Sequence, residues 1–488
     1  MEWNKLLSVQ KLASEDAEPK QFQDYPINEF EKDYNKIVSS AVFRRLQDKT
    51  QVFPLDKSDF IRTRLTHSIE VSTIARQLGI MVSKNSTGYR PKDISTEQAE
   101  DISSVLLCAG LLHDLGNPPF GHFGETVIGE WFQKNLGNIL YKCSEEDPEE
   151  KKRTVRDVLT NEMISDLEHF EGNAQAFRIL AKAKHASEIN VSAAVMSTLI
   201  KYPVDSVSFI SDDPIVWKHK PGYYQAEKNV FMEVADIVGT RKEDGTICRH
   251  PLAYLLEAAD DIAYATADLE DAFKKGLFTI KEFTEFFEDG YDHDQVGKPG
   301  GSNIYTKDHY SHELIGNLKE RLESQSSSTA FNGWVKYTRL WLMHNVVFRF
   351  SRDYNAIMDG NFEQDLFSNI NHTVSMRILK NAMREFVFDS PGILKLELSA
   401  QTIISFLLDK FVHAVLYDGY EEGSYKLTKA DHKLLKIFSE NYRKDYEAVK
   451  TDDEATNLYY RLLMVTDYIS GMTDSYARTL YRELNGIE

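Results

Sequence analysis

The sequence predicts an all-α protein. Apolar residues recur at three- to five-residue steps through most of the chain, the period of a helix with one buried face. Strand signals are weak: β-branched stretches such as "NVFMEVADIV" stand alone, and neither a βαβ rhythm nor a run of alternating strands appears. At 488 residues the chain exceeds the roughly 250–300 residues that one core serves, so two lobes or one elaborated helical body are expected.

Taken in order, residues 61–81 form the first core helix, with Leu65, Ile69, Ile74 and Leu78 as its apolar stripe. Residues 99–115 are denser in apolar side chains and predict a more buried helix, stopped by Gly116 and the Asn117-Pro118-Pro119 sequence. The segment "PLAYLLEAADDIAYATADLEDAFKKG" opens on Pro251, has no internal glycine, and places Gly276 where a helix cap belongs. Between about 285 and 328, "EDGYDHDQVGKPGGSN" and "ESQSSSTAF" lower the hydrophobicity and predict a surface excursion near a lobe boundary. Its Gly297-Lys298 is not a phosphate loop: the spacing is wrong, and Pro299 stands where Ser or Thr would hold magnesium. The C-terminal "LLMVTDYISGMTDSYARTLYREL" is amphipathic and carries no constellation of its own.

Bulk properties narrow the function. Cys108, Cys143 and Cys248 lie far apart with no CxxC pair, which argues against a thiolate zinc site or a disulfide framework and fits a reduced, cytoplasmic setting. The N-terminus lacks an apolar signal core, and the apolar stretch around "VLLCAGLL" is too short to cross a bilayer, so no membrane association is expected. A formal charge of −19 repels anions at long range, so a phosphate substrate would have to be held by local cations.

The chemistry gathers in "LLHDLGNPPFGHFGE". A lone His-Asp pair at a helix end is usually a cap or a satisfied core pair. Here His113-Asp114 has company: His67 in the preceding helix, and Glu257, Asp260, Asp261, Tyr264, Asp268 and Asp271 in the acidic one. Spacing by four puts Asp260, Tyr264 and Asp268 along one face, offering a ligand, a ring and a second carboxylate to one pocket. Two imidazoles and two carboxylates suit a single divalent transition ion with positions left open for water and substrate. Such an ion lowers the pKa of bound water, so hydroxide becomes available near neutral pH. By helix geometry alone either Asp260 or Asp261 can complete the set.

The ordered set His67, His113-Asp114 and Asp260 resembles the H…HD…D signature of HD-domain phosphohydrolases. "SSAVFRRLQDKTQVF", "RTRLTHSIEVS", "FEGNAQAFRIL", "LLEAADDIAYATADLEDA" and "DYISGMTDSYA" are similar to successive motifs of the bacterial deoxyguanosine triphosphate triphosphohydrolases, from about residue 38 to 478. The resemblance implies an HD-domain helical phosphohydrolase fold with an additional helical C-terminal lobe. It divides the chain into 1–60, a segment contributing to the pocket; 61–275, the metal-dependent core; and 276–488, a lobe with oligomer contacts. It implies hydrolysis of dGTP, or other dNTPs, to deoxynucleoside and tripolyphosphate, with metal-activated water attacking the α-phosphate.

By motif position, His67, His113, Asp114 and Asp260 would be metal ligands, Asp260 preferred because it lies four residues before Tyr264 and eight before Asp268. His122 and Glu125 match the catalytic pair, one turn apart, where Glu125 can orient a proton-handling imidazole. Arg64 and Lys220 match cations that touch the triphosphate, Gln51 and Asp268 the residues that hold the 3′-hydroxyl, and Tyr264 the ring against the sugar. Glu171 and Asn173 belong to a block near the pocket without assigned roles. The cofactor implied is one divalent ion, Mn or Mg first, with Fe, Co, Ni and Zn open. The implied partners are the nucleotide, further copies in a homo-oligomer, often a hexamer, and in some members single-stranded DNA. The alternatives are an HD phosphohydrolase for a cyclic nucleotide or monophosphate, and a non-catalytic nucleotide or nucleic-acid sensor.

Overall fold

The computed structural model describes residues 1–13, 28–53, 58–84, 94–143, 147–148, 150, 152–182, 189–296, 309–368, 373–388, 390–416 and 427–487. The all-α expectation holds: among the described residues the only β pairing is isolated bridges such as Thr50 with Thr63. The stretch "NVFMEVADIV" lies in the Lys228–Val238 helix. The helices that build and support the cavity are α1 (Arg64–Lys84), α2 (Thr96–Leu112), α3 (Gly121–Asn135), α4 (Gly172–Ala181), α5 (Pro251–Ala263), α6 (Thr373–Met383), α7 (Pro391–Leu416), α8 (Glu454–Ser470) and α9 (Asp474–Asn485).

Local chemistry explains their ends. α2 opens with a reciprocal capping box between Ser95 and Gln98, which satisfies two otherwise unpaired amides. α5 has Pro251 in its first turn, and the His250 ring accepts the Leu252 N–H. The acidic helix is not regular throughout: Tyr264–Asp268 forms a π-turn before the Leu269–Lys274 helix, which ends at Gly276 with φ +70°. Such turns rotate the following side chains relative to an α-helix.

Of the expected stripe on the first helix, Ile74 and Leu78 are buried and Leu65 packs against the core, but Ile69 does not. Ile69 is 47 % exposed, whereas Ser68, Val71, Ser72, Ala75 and Gly79 are buried with Ile74 and Leu78. Small residues win because α1 and α2 meet almost backbone to backbone. A Cβ built on Gly110 would lie 2.4 Å from Ser72 Cα, and one on Gly79 would lie 2.8 Å from a Leu106 methyl. That approach carries His67, near the start of α1, alongside His113, the residue that ends α2.

Two hydrophobic cores result, and they do not follow chain order. One joins the N-terminal helices, α1, α2, α5 and helices up to Ile393. The other joins α3 and residues 139–174 to α7, α8 and α9. The Ser-rich stretch near 326 is a tight joint between helices: Ser326 caps the Ser327–Arg352 helix by accepting the Thr329 N–H. Gly297-Lys298-Pro299, at the centre of the expected excursion, lies outside the described residues.

α7 corrects the reading of apolar length. Its Gly392–Leu416 portion is long and apolar enough to cross a membrane by composition. Its Ala400, Ile403, Ile404, Leu407, Leu408 and Phe411 are buried in the second core, as in the core helix of a folded lobe. The three cysteines are free and buried.

Candidate active site

His67, His113 and Asp114 converge with their ligand atoms within 4.8 Å of one another, a group able to hold a metal ion. His113 Nδ1 sits 2.8 Å from the Gly110 carbonyl, so it carries the proton, and Nε2 keeps its lone pair for a ligand. That Nε2 is buried without a hydrogen-bond partner. Asp260 Oδ1 lies 3.3 Å from His67 Nε2 and 3.5 Å from His113 Nε2. Asp261 turns to Lys380, 2.9 Å away. Between the two adjacent aspartates, it is therefore Asp260 that faces the imidazoles.

Cations hold these acids ionised. Arg64 donates to Asp114 Oδ2 at 2.8 Å, and Lys201 to Asp260 Oδ2 at 2.8 Å. Burial opposes ionisation of Asp114, but the Arg64 guanidinium outweighs it and keeps the carboxyl below its usual range. Burial likewise opposes ionisation of Asp260, and the Lys201 ammonium leads the groups that outweigh it. Asp261, more weakly compensated, is pushed by burial up to about 6.

Beside this group, His122 Nδ1 lies 3.0 Å from Glu125 Oε2, and 76 % of the His122 side chain is open to solvent. Glu125 is buried, and its other oxygen accepts the Gly172 N–H at 3.1 Å. A side chain at Gly172 would strike Asn117 Oδ1 at 2.3 Å and Glu125 Oε1 at 2.5 Å, so this close approach requires glycine. The Glu125 charge raises the His122 pKa above the ordinary imidazole value. Burial works against the Glu125 anion, yet His122, Lys220 and Arg64 together lower its pKa. The pair is a carboxylate that favours the protonated form of an imidazole held by one ring nitrogen while the rest of the ring faces the cavity.

That cavity, about 410 Å³, is lined by Gln51, Arg64, His113, Asp114, His122, Asp260, Tyr264 and Asp268 among others. Gln51 Oε1 and both Asp268 carboxylate oxygens are buried with no hydrogen-bond partner. Burial drives the Asp268 carboxyl up to about 7, with His67 opposing and Asp271 reinforcing the shift. Lys220 stands one layer back from the lining: it pairs with Glu171 at 3.0 Å, and Glu171 in turn accepts from Asn173, which does line the cavity.

Sequence reasoning missed several lining residues. Lys201, Lys380, Phe388 and Glu397 all border the cavity, yet none sits in a motif with a chemical signature. Only the chain path brings them in. Asn117 had a local signal, three residues after Asp114 at the helix stop, and its amide donates to Asp114 Oδ1. Two other histidines stand apart from this cluster: His169 bonds Ser165, and His250 caps α5.

Comparison with known proteins gives a consistent picture. The HD domain family matches residues 64–196, and the phosphohydrolase-associated domain family matches residues 371–483. A deoxyguanosinetriphosphate triphosphohydrolase-like protein of Listeria monocytogenes is 40 % identical over the whole of both chains. A protein of the same description from Synechocystis sp. is 33 % identical, again over both full lengths. The deoxyguanosinetriphosphate triphosphohydrolase of Serratia proteamaculans is 31 % identical over all of this chain and 99 % of its own.

Proposed function

The chain belongs to the HD-domain deoxyguanosinetriphosphate triphosphohydrolase family, and from that premise we propose that it hydrolyses deoxynucleoside triphosphates, dGTP foremost, to deoxynucleoside and tripolyphosphate. The observation that supports this best is the meeting, on one cavity, of a His-His-Asp-Asp donor set, an imidazole-carboxylate pair and unpartnered acceptors suited to a sugar.

The donor set fits one divalent ion: two imidazoles and two carboxylates, with His113 Nε2 unprotonated and otherwise orphaned. His67, His113, Asp114 and Asp260 would hold it, and when bound it supplies charge neutralisation at the α-phosphate and acidification of water. Everything else falls to the chain's own groups. Arg64 reaches the cavity while bonded to Asp114, and its guanidinium can fork onto phosphate oxygens. Lys201 adds a second cation against the negative charge of the triphosphate. His122, whose protonated form Glu125 favours, is placed to give its proton to the 5′-oxygen as the bond from that oxygen to the α-phosphorus breaks and water bonds to phosphorus. The 5′-hydroxyl leaves with the deoxynucleoside.

Gln51 and Asp268 supply acceptors that lack donors, and a 3′-hydroxyl offers one. Phe388 lies nearly parallel to Tyr264, at 11° with ring centroids 6.3 Å apart, which gives the cavity an aromatic wall. The wall can stack on any base, and the name of the Serratia relative supports dGTP as the foremost substrate.

The test is incubation of purified protein with each of the four dNTPs and GTP, in Mn²⁺ or Mg²⁺, with chromatographic separation of products. Deoxynucleoside and tripolyphosphate are expected, fastest from dGTP. Nucleoside mono- or diphosphates as products would overturn the assigned scissile bond.

A further inference from the structure

The joint between α8 and α9 lines no part of the cavity, yet it grips the backbone segments that do. Asp474, in the first turn of α9, is 2 % exposed. Its Oδ1 accepts the Phe120 N–H at 3.0 Å, and its Oδ2 accepts the Thr50 N–H at 3.0 Å together with the Thr50 hydroxyl. Around it, Lys49 Nζ donates to the carbonyls of Asn117 and Ser470 at 2.6 Å each, and Arg45 donates to the Gly471 carbonyl at 3.1 Å. Asp467, at the other end of the joint, accepts two bonds from Arg178 and one from Gln175 on α4.

What Asp474 holds is strained. Phe120 has φ 65° and ψ 16°, the left-handed region where the Cβ of a non-glycine residue crowds the backbone. Gly121 follows at φ +63°, where a side chain would meet the Arg64 guanidinium at 2.5 Å. α3 begins on these two residues and carries His122 and Glu125 in its first turns, so the turn sets where the imidazole points.

We propose that Asp474 is a positioning residue for the His122–Glu125 pair: by fastening Phe120 and Thr50 it keeps the left-handed turn closed and His122 aimed into the cavity. The assignment rests on the triphosphohydrolase reading, but its key readout does not.

Two variants, Asp474→Asn and Asp474→Ala, test it beside Ser475→Ala, which cuts only the neighbouring bond from Ser475 to Asp48. The measurements are kcat and KM for dGTP with Mg²⁺, thermal melting, and the pH dependence of carbethoxylation of His122 read by peptide mass spectrometry. Carbethoxylation takes only the neutral imidazole, and the charged groups facing that ring are Glu125, Glu171, Lys220 and Arg64. For the Asp474 variants kcat is expected to fall about tenfold or more, as displaced catalytic groups commonly produce, with KM within about threefold. The His122 midpoint should move down toward the ordinary imidazole value. Ser475→Ala should behave as the unaltered enzyme. If Asp474→Ala does not fold, Asp474→Asn, which keeps volume and one acceptor, decides. A folded Asp474→Asn with unchanged kcat and an unchanged His122 midpoint overturns the proposal. An unaltered protein that hydrolyses no dNTP would overturn the activity reading instead, and the His122 midpoint would still judge the positioning role.

Discussion

Replacing Gly110 with alanine should damage both the fold and the metal group, because the new methyl falls on backbone. The Cβ would lie 2.4 Å from Ser72 Cα and 2.8 Å from Ser72 N, against 3.4–4 Å for ordinary contact. α1 and α2 must therefore separate by about 1 Å. Overpacking of this kind costs about 1–3 kcal/mol, and the upper end applies because neither backbone can rotate away. Alanine regains about 1 kcal/mol of helix propensity, which leaves a net loss of about 2 kcal/mol. The same separation pulls His67, five residues before Ser72, away from His113, three residues after Gly110, in a group whose ligand atoms now lie within 4.8 Å. Gly316→Ala is the matched comparison: nothing lies within 4 Å of its Cβ, so it should stabilise by up to about 1 kcal/mol. The assay is thermal melting of metal-free protein, with Mn²⁺ titration by calorimetry. Melting shifts of opposite sign, and weaker Mn²⁺ binding in Gly110→Ala alone, are expected. A Gly110→Ala protein that melts and binds Mn²⁺ like the unaltered chain refutes the close-packing argument.

His122→Ala should lower kcat about 10²- to 10⁴-fold while calorimetric Mn²⁺ binding persists, because the ring handles a proton and lies outside the metal group. Glu125→Gln removes the charge that raises the His122 pKa, so the alkaline limb of kcat, where the imidazolium is lost, should move to lower pH; an unmoved limb in the pH–rate profile argues against the pair. Asp268→Asn should raise the melting temperature of substrate-free protein at pH 8 while cutting kcat/KM for dGTP. Its carboxyl goes from 3.8 to about 7 on folding, so the cost of the buried anion grows as pH rises from about 4 and is complete above about 7, and the melting gain should vanish near pH 4.

Much of this was legible in the linear sequence. Helical periodicity and the lack of strand rhythm determined the all-α class, Pro251 and Gly276 bounded the acidic helix, and the spacing of His67, His113-Asp114 and Asp260 announced a candidate metal group. These signals are local, because periodicity, caps and side-chain donor chemistry are written within a few residues. Hydrophobicity placed Leu65, Ile74 and Leu78 correctly but misplaced Ile69, which is exposed, and missed the buried serines, since how closely two helices pack depends on the partner helix as well.

Tertiary structure alone decided the rest. Helix geometry left Asp260 and Asp261 open and motif position favoured Asp260; in the fold Lys201, in the bend after a short helix, pairs with Asp260 beside the imidazoles, while Lys380 on α6 takes Asp261. The bracket around Asp474 joins it to Phe120 and Thr50, more than 350 positions away, and although each lies in a motif, no motif by itself shows the pairing. Such choices are made by long-range packing, where a side chain's environment is built from segments whose sequence separation hides their adjacency.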